Sequence, residues 1–206
     1  PIVHMAKDDF DLFDQEGNRK YLTQEERTRF YHSIDTALSK SADREKRTFV
    51  LLLYYTGCRI SEGLATTYKK IDYSAQGVVF ETLKRRKKVH RFVPLPYPFL
   101  VKLDDVHRVK DFQSGNGSGK ATDRIWNFGR TTAWKTIGKV MEVAGIEGAQ
   151  ACPKGLRHSF AISHQLVKTP ETQIAQWLGH ADTSMMRVYG RAIGQEEHIL
   201  AARLWE

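Results

Sequence analysis

Arg59, Arg157, His180 and Tyr189 could between them carry out chemistry on a phosphodiester. The first lies in Thr56-Gly57-Cys58-Arg59-Ile60-Ser61-Glu62 and the second in Lys154-Gly155-Leu156-Arg157-His158-Ser159-Phe160-Ala161. His180 and Tyr189 share the stretch that opens at Leu178-Gly179-His180. Planar guanidinium forks match the non-bridging oxygens of a phosphate and stay charged at any relevant pH. Donors placed around a phosphoryl group in this way are the main means of stabilising its transfer. A tyrosine hydroxyl can attack the phosphorus once activated, since a free phenol has a pKa of about 10. Taken singly, each residue has a plainer reading: an arginine in a surface ion pair, a packed tyrosine, a capping histidine. The neighbours of each residue are what point to the chemistry.

These residues must be held by elements that the sequence also marks. Thr23 and Glu26 form a capping box, which predicts a helix over 24–38. A second helix opens at Ser41-Ala42-Asp43, carries the apolar run Phe49 to Tyr55 and ends at Gly57, leaving Arg59 at the mouth of a short third helix. Gly77–Thr82 and Arg91–Leu95 alternate as strands, joined by the basic connection Lys84-Arg85-Arg86-Lys87-Lys88. That pattern predicts a hairpin with a charged tip. Pro94, Pro96 and Pro98 stop the second strand, and a helix is expected over 98–110. Ser114–Gly119 reads as a flexible loop within one domain. Further helices are expected over 129–145, from Pro153, from Thr169-Pro170-Glu171 to Gly179, around Tyr189 and over 195–205. Thr169 is the expected cap of its helix, and His180 should emerge just past the end of it. The reading is α+β, mostly α, with a small antiparallel sheet.

The 206 residues suffice for one domain with a proper core, and 41% hydrophobic content is that of a globular protein. Residues 1–20 read as a loose polar arm and 21–206 as the domain itself, with a native start at Met5 or an excised domain as the two readings of the first residues. Lysine and arginine total 32 against 24 acids, a net charge of +8, which favours a polyanion such as nucleic acid over a membrane. No long apolar span or signal peptide is found. Cys58 and Cys152 are isolated, so free thiols in a reducing cytoplasm are expected and a metal site is not. His158 and His164 read as helix structure with no metal-ligand spacing to His180.

Together the three boxes resemble the catalytic domain of the tyrosine recombinase (phage integrase) family, over residues 20–192. The resemblance implies the DNA breaking-rejoining fold and a site-specific recombinase. In such an enzyme Tyr189, nine residues after His180, forms a 3′-phosphotyrosyl bond and frees a 5′-hydroxyl. It implies no metal, ATP or other cofactor. Arg59, Arg157 and His180 would hold the phosphate, and Glu62 would buttress Arg59. A hairpin lysine would protonate the leaving oxygen. Lys84 fits best by position, Lys87 is second, and an ungapped count back from Val93-Pro94-Leu95 instead gives Arg86, a poor acid. Arg85, Arg86, Lys87, Lys88 and Arg91 are expected to touch DNA phosphates. Lys154 departs from the family's histidine three residues before Arg157. It could hydrogen-bond the phosphate, or take the tyrosine proton after losing its own, in which case activity should rise with pH more steeply than for a histidine enzyme.

The resemblance also implies double-stranded DNA as partner, a tetramer on DNA with a monomer or weak oligomer off it, and a cytoplasmic, nucleoid-associated protein of bacterial, phage or plasmid origin. The last helix, 197–205, would dock on a neighbour or on its own domain. The family's amino-terminal core-binding domain does not fit in the first 20 residues, which implies either a fragment or a short invertase-like member. Two other readings stand beside the recombinase: a type IB topoisomerase, and a non-catalytic DNA-binding regulator that keeps the fold.

Overall fold

Capping chemistry and apolar faces set the helices of this protein where the sequence marks them. The computed structural model describes residues 11–84 and 87–180. Helix α1 (Gln24–Ala37) starts on the predicted capping box: Thr23 Oγ1 accepts from the Glu26 amide at 3.2 Å, and Glu26 Oε2 accepts from the Thr23 amide at 2.9 Å. Helix α2 (Arg44–Thr56) follows a 3-10 turn over Ser41–Asp43 and ends at Gly57. There φ is +61°, and a Cβ would lie 2.7 Å from the Phe160 ring, so glycine meets both the turn and the packing. Helix α3 (Ile60–Leu64) begins three residues later with Arg59 as its N-cap.

A three-stranded antiparallel sheet follows, in the order β1 (Ile71–Asp72), β2 (Gly77–Lys84), β3 (Lys87–Pro94). Phe80 pairs with Arg91 and Lys84 with Lys87. The strands run further than the sequence predicts, taking Lys84, Lys87 and Lys88 into the ladder. Backbone pairing needs no apolar side chains. Glu81 makes a cross-strand ion pair with Lys88 Nζ at 3.1 Å and meets His90 Nε2 at 3.3 Å.

The single helix expected over 98–110 is two: α4 (Tyr97–His107) and α5 (Val109–Ser114). Arg108 breaks them at φ +54°, and Asp104 Oδ1 accepts from the Lys110 amide at 2.9 Å, restarting the chain as α5. Helices α6 (Arg130–Val143), α7 (Pro153–Leu166) and α8 (Glu171–Leu178) complete the described fold. Thr169 is not the cap of α8. Pro170 takes that place, and Thr169 Oγ1 instead bonds His164 Nδ1 at 3.1 Å.

The main core lies between α1, α2, α4, α6 and the inner face of the sheet, with Phe30, Phe49, Phe80, Leu100, Trp126 and Ile137 fully buried. A second apolar cluster sits under α7 and α8. Part of it comes from the segment expected to be a loose arm: Leu12 is buried there, with Tyr21 just past the arm, in one cluster with Phe160, Ala161, Ile174 and Leu178. That segment is tied by a Phe13–Arg19 bridge and by the two-point contact of Arg19 with Glu26. Leu12 and Phe13 are adjacent apolar residues in a polar stretch and form no periodic pattern, so the sequence carries little sign of this packing.

Candidate active site

Two turns at helix ends and the first turns of a third helix bring the arginine and histidine boxes together. Gly57 turns the chain out of α2, and its carbonyl accepts from Arg157 Nη1 at 2.6 Å. Arg157 lies one turn into α7 and is itself buried. Its Nη2 donates to the Leu178 carbonyl at 2.7 Å, at the end of α8, and stands 3.3 Å from His180 Nε2. Gly179, at φ +69°, makes the left-handed turn that presents His180. One guanidinium thus links the first, second and third boxes through backbone carbonyls, which hold it without neutralising its charge.

Arg59 stands two residues beyond the carbonyl that Arg157 holds, with its side chain 41% exposed. Glu62, on the next turn, accepts from the Arg59 amide at 2.9 Å and from Arg59 Nη1 at 3.3 Å. Its stronger partner is Arg91, through Oε2 at 2.7 Å and Oε1 at 3.0 Å. Burial alone would raise the Glu62 carboxyl. The Arg91 fork, helped by the Arg59 amide and the Arg157 charge, outweighs it and brings the group down to about 2. The carboxylate is therefore a fixed negative charge.

Arg91 departs from the expectation of a DNA contact. Its side chain is 4% exposed, packed over the Phe80 ring at 5.1 Å, and Nε donates to the Trp177 carbonyl at 2.7 Å. It also meets Thr82 Oγ1. A guanidinium so enclosed cannot reach a phosphate. Lys84 and Lys87 close the two strands of the hairpin as the last ladder pair, and Lys88 is exposed beside Glu81. Arg85, Arg86, Tyr189 and the helix expected over 195–205 lie outside the described residues. Lys154 sits in the first turn of α7, half-buried, one turn before Arg157. Cys58, between the Gly57 and Arg59 positions, is buried, and burial pushes its thiol up to about 12.

Sequence reasoning also missed Arg27. It is buried on α1 with Nη2 donating to the Tyr54 carbonyl at 2.7 Å and Nη1 to Ser159 Oγ at 3.2 Å, two residues past Arg157. Its spacing with Phe30, Ile34 and Ala37 was the signal, because those positions share one helical face. His164 stacks edge-on against Phe160 and Trp177, and burial lowers its basicity, consistent with a packing role.

Residues 20–195 match the sequence model of the phage integrase family. The chain belongs to that family. Among relatives of this phage integrase domain, tyrosine recombinase XerD of Mycobacterium tuberculosis (strain H37Rv) is 32% identical over 150 residues, covering 69% of this chain and 46% of the relative. Tyrosine recombinase XerA of Pyrococcus furiosus is 29% identical over 194 residues, covering 91% of this chain and 63% of the relative. The chain thus spans less than half the length of the XerD relative. The fold of the phage integrase domain is shared with XerH site-specific recombinase bound to a palindromic difH substrate in a post-cleavage complex. That match has a TM-score of 0.76 at 20% identity, over 95% of this chain and 57% of the other. The catalytic domain of bacteriophage HP1 integrase gives a TM-score of 0.58 at 19% identity, over 88% of this chain and 93% of that one. The mostly helical domain with its small antiparallel sheet is therefore the tyrosine recombinase catalytic fold. Among its described residues no helix is long and apolar enough to cross a membrane.

Proposed function

We propose that this chain is the catalytic part of a site-specific DNA recombinase that cuts and rejoins double-stranded DNA through a tyrosine. The observation that carries the reading is the contact of Arg157 with both Gly57 and His180, which gathers three boxes around one point beside Arg59. A phosphodiester there meets two guanidinium groups and an imidazole. Tyr189 Oη attacks the phosphorus and gives its proton to Lys154 in its neutral amine form. The bond from phosphorus to the 5′-oxygen breaks, and that oxygen takes a proton from Lys84. The 3′-phosphotyrosyl linkage keeps the bond energy, so a 5′-hydroxyl from another strand reverses the steps and seals the new joint. No metal or nucleotide is needed to balance this sequence. Exchange between two duplexes calls for four such domains on DNA, in the nucleoid. XerH, which shares the fold, is described bound to its difH substrate.

Covalent trapping tests the reading. Nicked suicide duplexes tiled across the DNA flanking the gene are mixed with the protein and with Tyr189→Phe, then run on denaturing gels. An adduct formed by the parent and absent from the variant is expected. Bound DNA with no adduct from either, in the full-length protein as well, would leave a regulator. Relaxation of supercoiled plasmid without strand exchange would point to a topoisomerase.

A further inference from the structure

Three groups of the proposed reaction sit on three elements: Arg59 at the start of α3, Lys84 at the end of β2 and His180 after α8. Each lies within a few residues of an atom held by Arg91. The Arg91 fork grips Glu62, which in turn holds the Arg59 amide at 2.9 Å. Arg91 also meets Thr82 Oγ1, one full pleat before Lys84, and Thr82 donates to Glu62 Oε1 at 2.9 Å. The third direction, Nε to the Trp177 carbonyl at 2.7 Å, fixes the last turn of α8, three residues before His180. A Cβ on Gly179 would lie 3.0 Å from Arg91 Nη1, so the turn to His180 is moulded directly on this guanidinium.

We infer that Arg91 is a positioning residue that sets the hairpin, the Arg59 turn and the His180 turn in a common register, and that it does not bind DNA. This rests on the reading of Arg59, Lys84 and His180 as the groups that act on the phosphate. A lysine in its place keeps the charge opposite Glu62 but lacks the fork that reaches all three neighbours at once. Displacing reacting groups by about an ångström costs on the order of 100-fold in rate.

Arg91→Lys is the first test, with Thr82→Val as a near-isosteric variant that cuts only the hairpin link and leaves the buried ion pair intact. Hydrogen exchange comes first, because it does not depend on cleavage. In Arg91→Lys the amides of 82–84 and of 178–180 should exchange faster together, with α1 and α6 unchanged. Loosening confined to 89–93 would overturn the inference. For cleavage, saturating DNA should leave Arg91→Lys slower by on the order of 100-fold at unchanged DNA affinity. A wild-type rate once DNA is bound, or a deficit wholly in affinity, would also overturn it. Thr82→Val should lose about tenfold on an ordinary duplex and recover on one with a 5′-bridging sulfur, whose leaving group needs no proton. An equal deficit on both duplexes would remove the hairpin from the scheme. If the parent forms no adduct but the exchange coupling appears, the proposed function fails and the coupling stands.

Discussion

Arg157 and His180 were legible from their neighbours, while Arg91 was not, and the difference is physical. The boxes around Arg59, Arg157 and His180 contain glycines at 57, 155 and 179 that only a close-packed turn or helix contact requires. Arg91 opens the second predicted strand just past the basic run Lys84–Lys88, and its charge groups it with those expected phosphate contacts. Its parity with Val93 and Leu95, both buried, was the available sign that it points inward. Two buried titratable groups give the fold a stepwise response to acid. Burial and the nearby Arg44 charge lower His107, bonded to Thr48 Oγ1 at 2.8 Å, to about 4. The unfolded chain holds that proton more tightly. The stability from neutral His107 is therefore complete above pH of about 6.5 and is lost towards pH 4, roughly 3 kcal/mol in all. Glu62 is likewise depressed, so its contribution is complete above about pH 4.5 and disappears towards pH 2. Urea midpoints should fall in those two windows. His107→Gln should be weaker at pH 7 and should lose less stability than the parent between pH 6.5 and 4, the slope that is left coming from buried His164 and from Glu62. A variant that tracks the parent slope would refute the assignment.

Among the elements, α7 carries Arg157 and α8 leads to His180, and both depend on a segment outside the helices. Leu12 is buried in the cluster beneath them with Tyr21, Phe160 and Leu178. Leu12→Ala should cost about 2–4 kcal/mol. The loss should appear as a lower urea midpoint and as faster amide exchange in α8, whose apolar underside Leu12 helps to cover. A midpoint within error of the parent would mean that this segment is only draped on the domain. Helix α1 is legible from its capping box, and α7 and α8 from the prolines at their starts. The break at Arg108 is not, because it is set by the Asp104 carboxylate reaching the next helix. A left-handed arginine carries no signal in composition.

For the whole molecule, the +8 charge and the single fold agree in what they ask of a partner. Measured by fluorescence anisotropy, this domain's affinity for duplex DNA should fall about a thousandfold between roughly 50 and 200 mM salt, the response of six or more phosphate contacts. A flat response would mean that the positive charge serves some other purpose.

Cys58 offers a way to watch the site breathe. Its thiol is buried, pushed up to about 12 by that burial, and the residue stands in the chain between Gly57, whose carbonyl anchors Arg157, and Arg59. An alkylating reagent can reach it only when this turn opens. Half-exposed Cys152, at the start of α7, serves as the internal reference. The ratio of the two labelling rates is then an opening equilibrium for the Arg59 turn, read in the native protein. DNA that draws the boxes together should slow Cys58 labelling while leaving denatured chains equally reactive, so occupancy of the site can be followed by mass without any cleavage taking place.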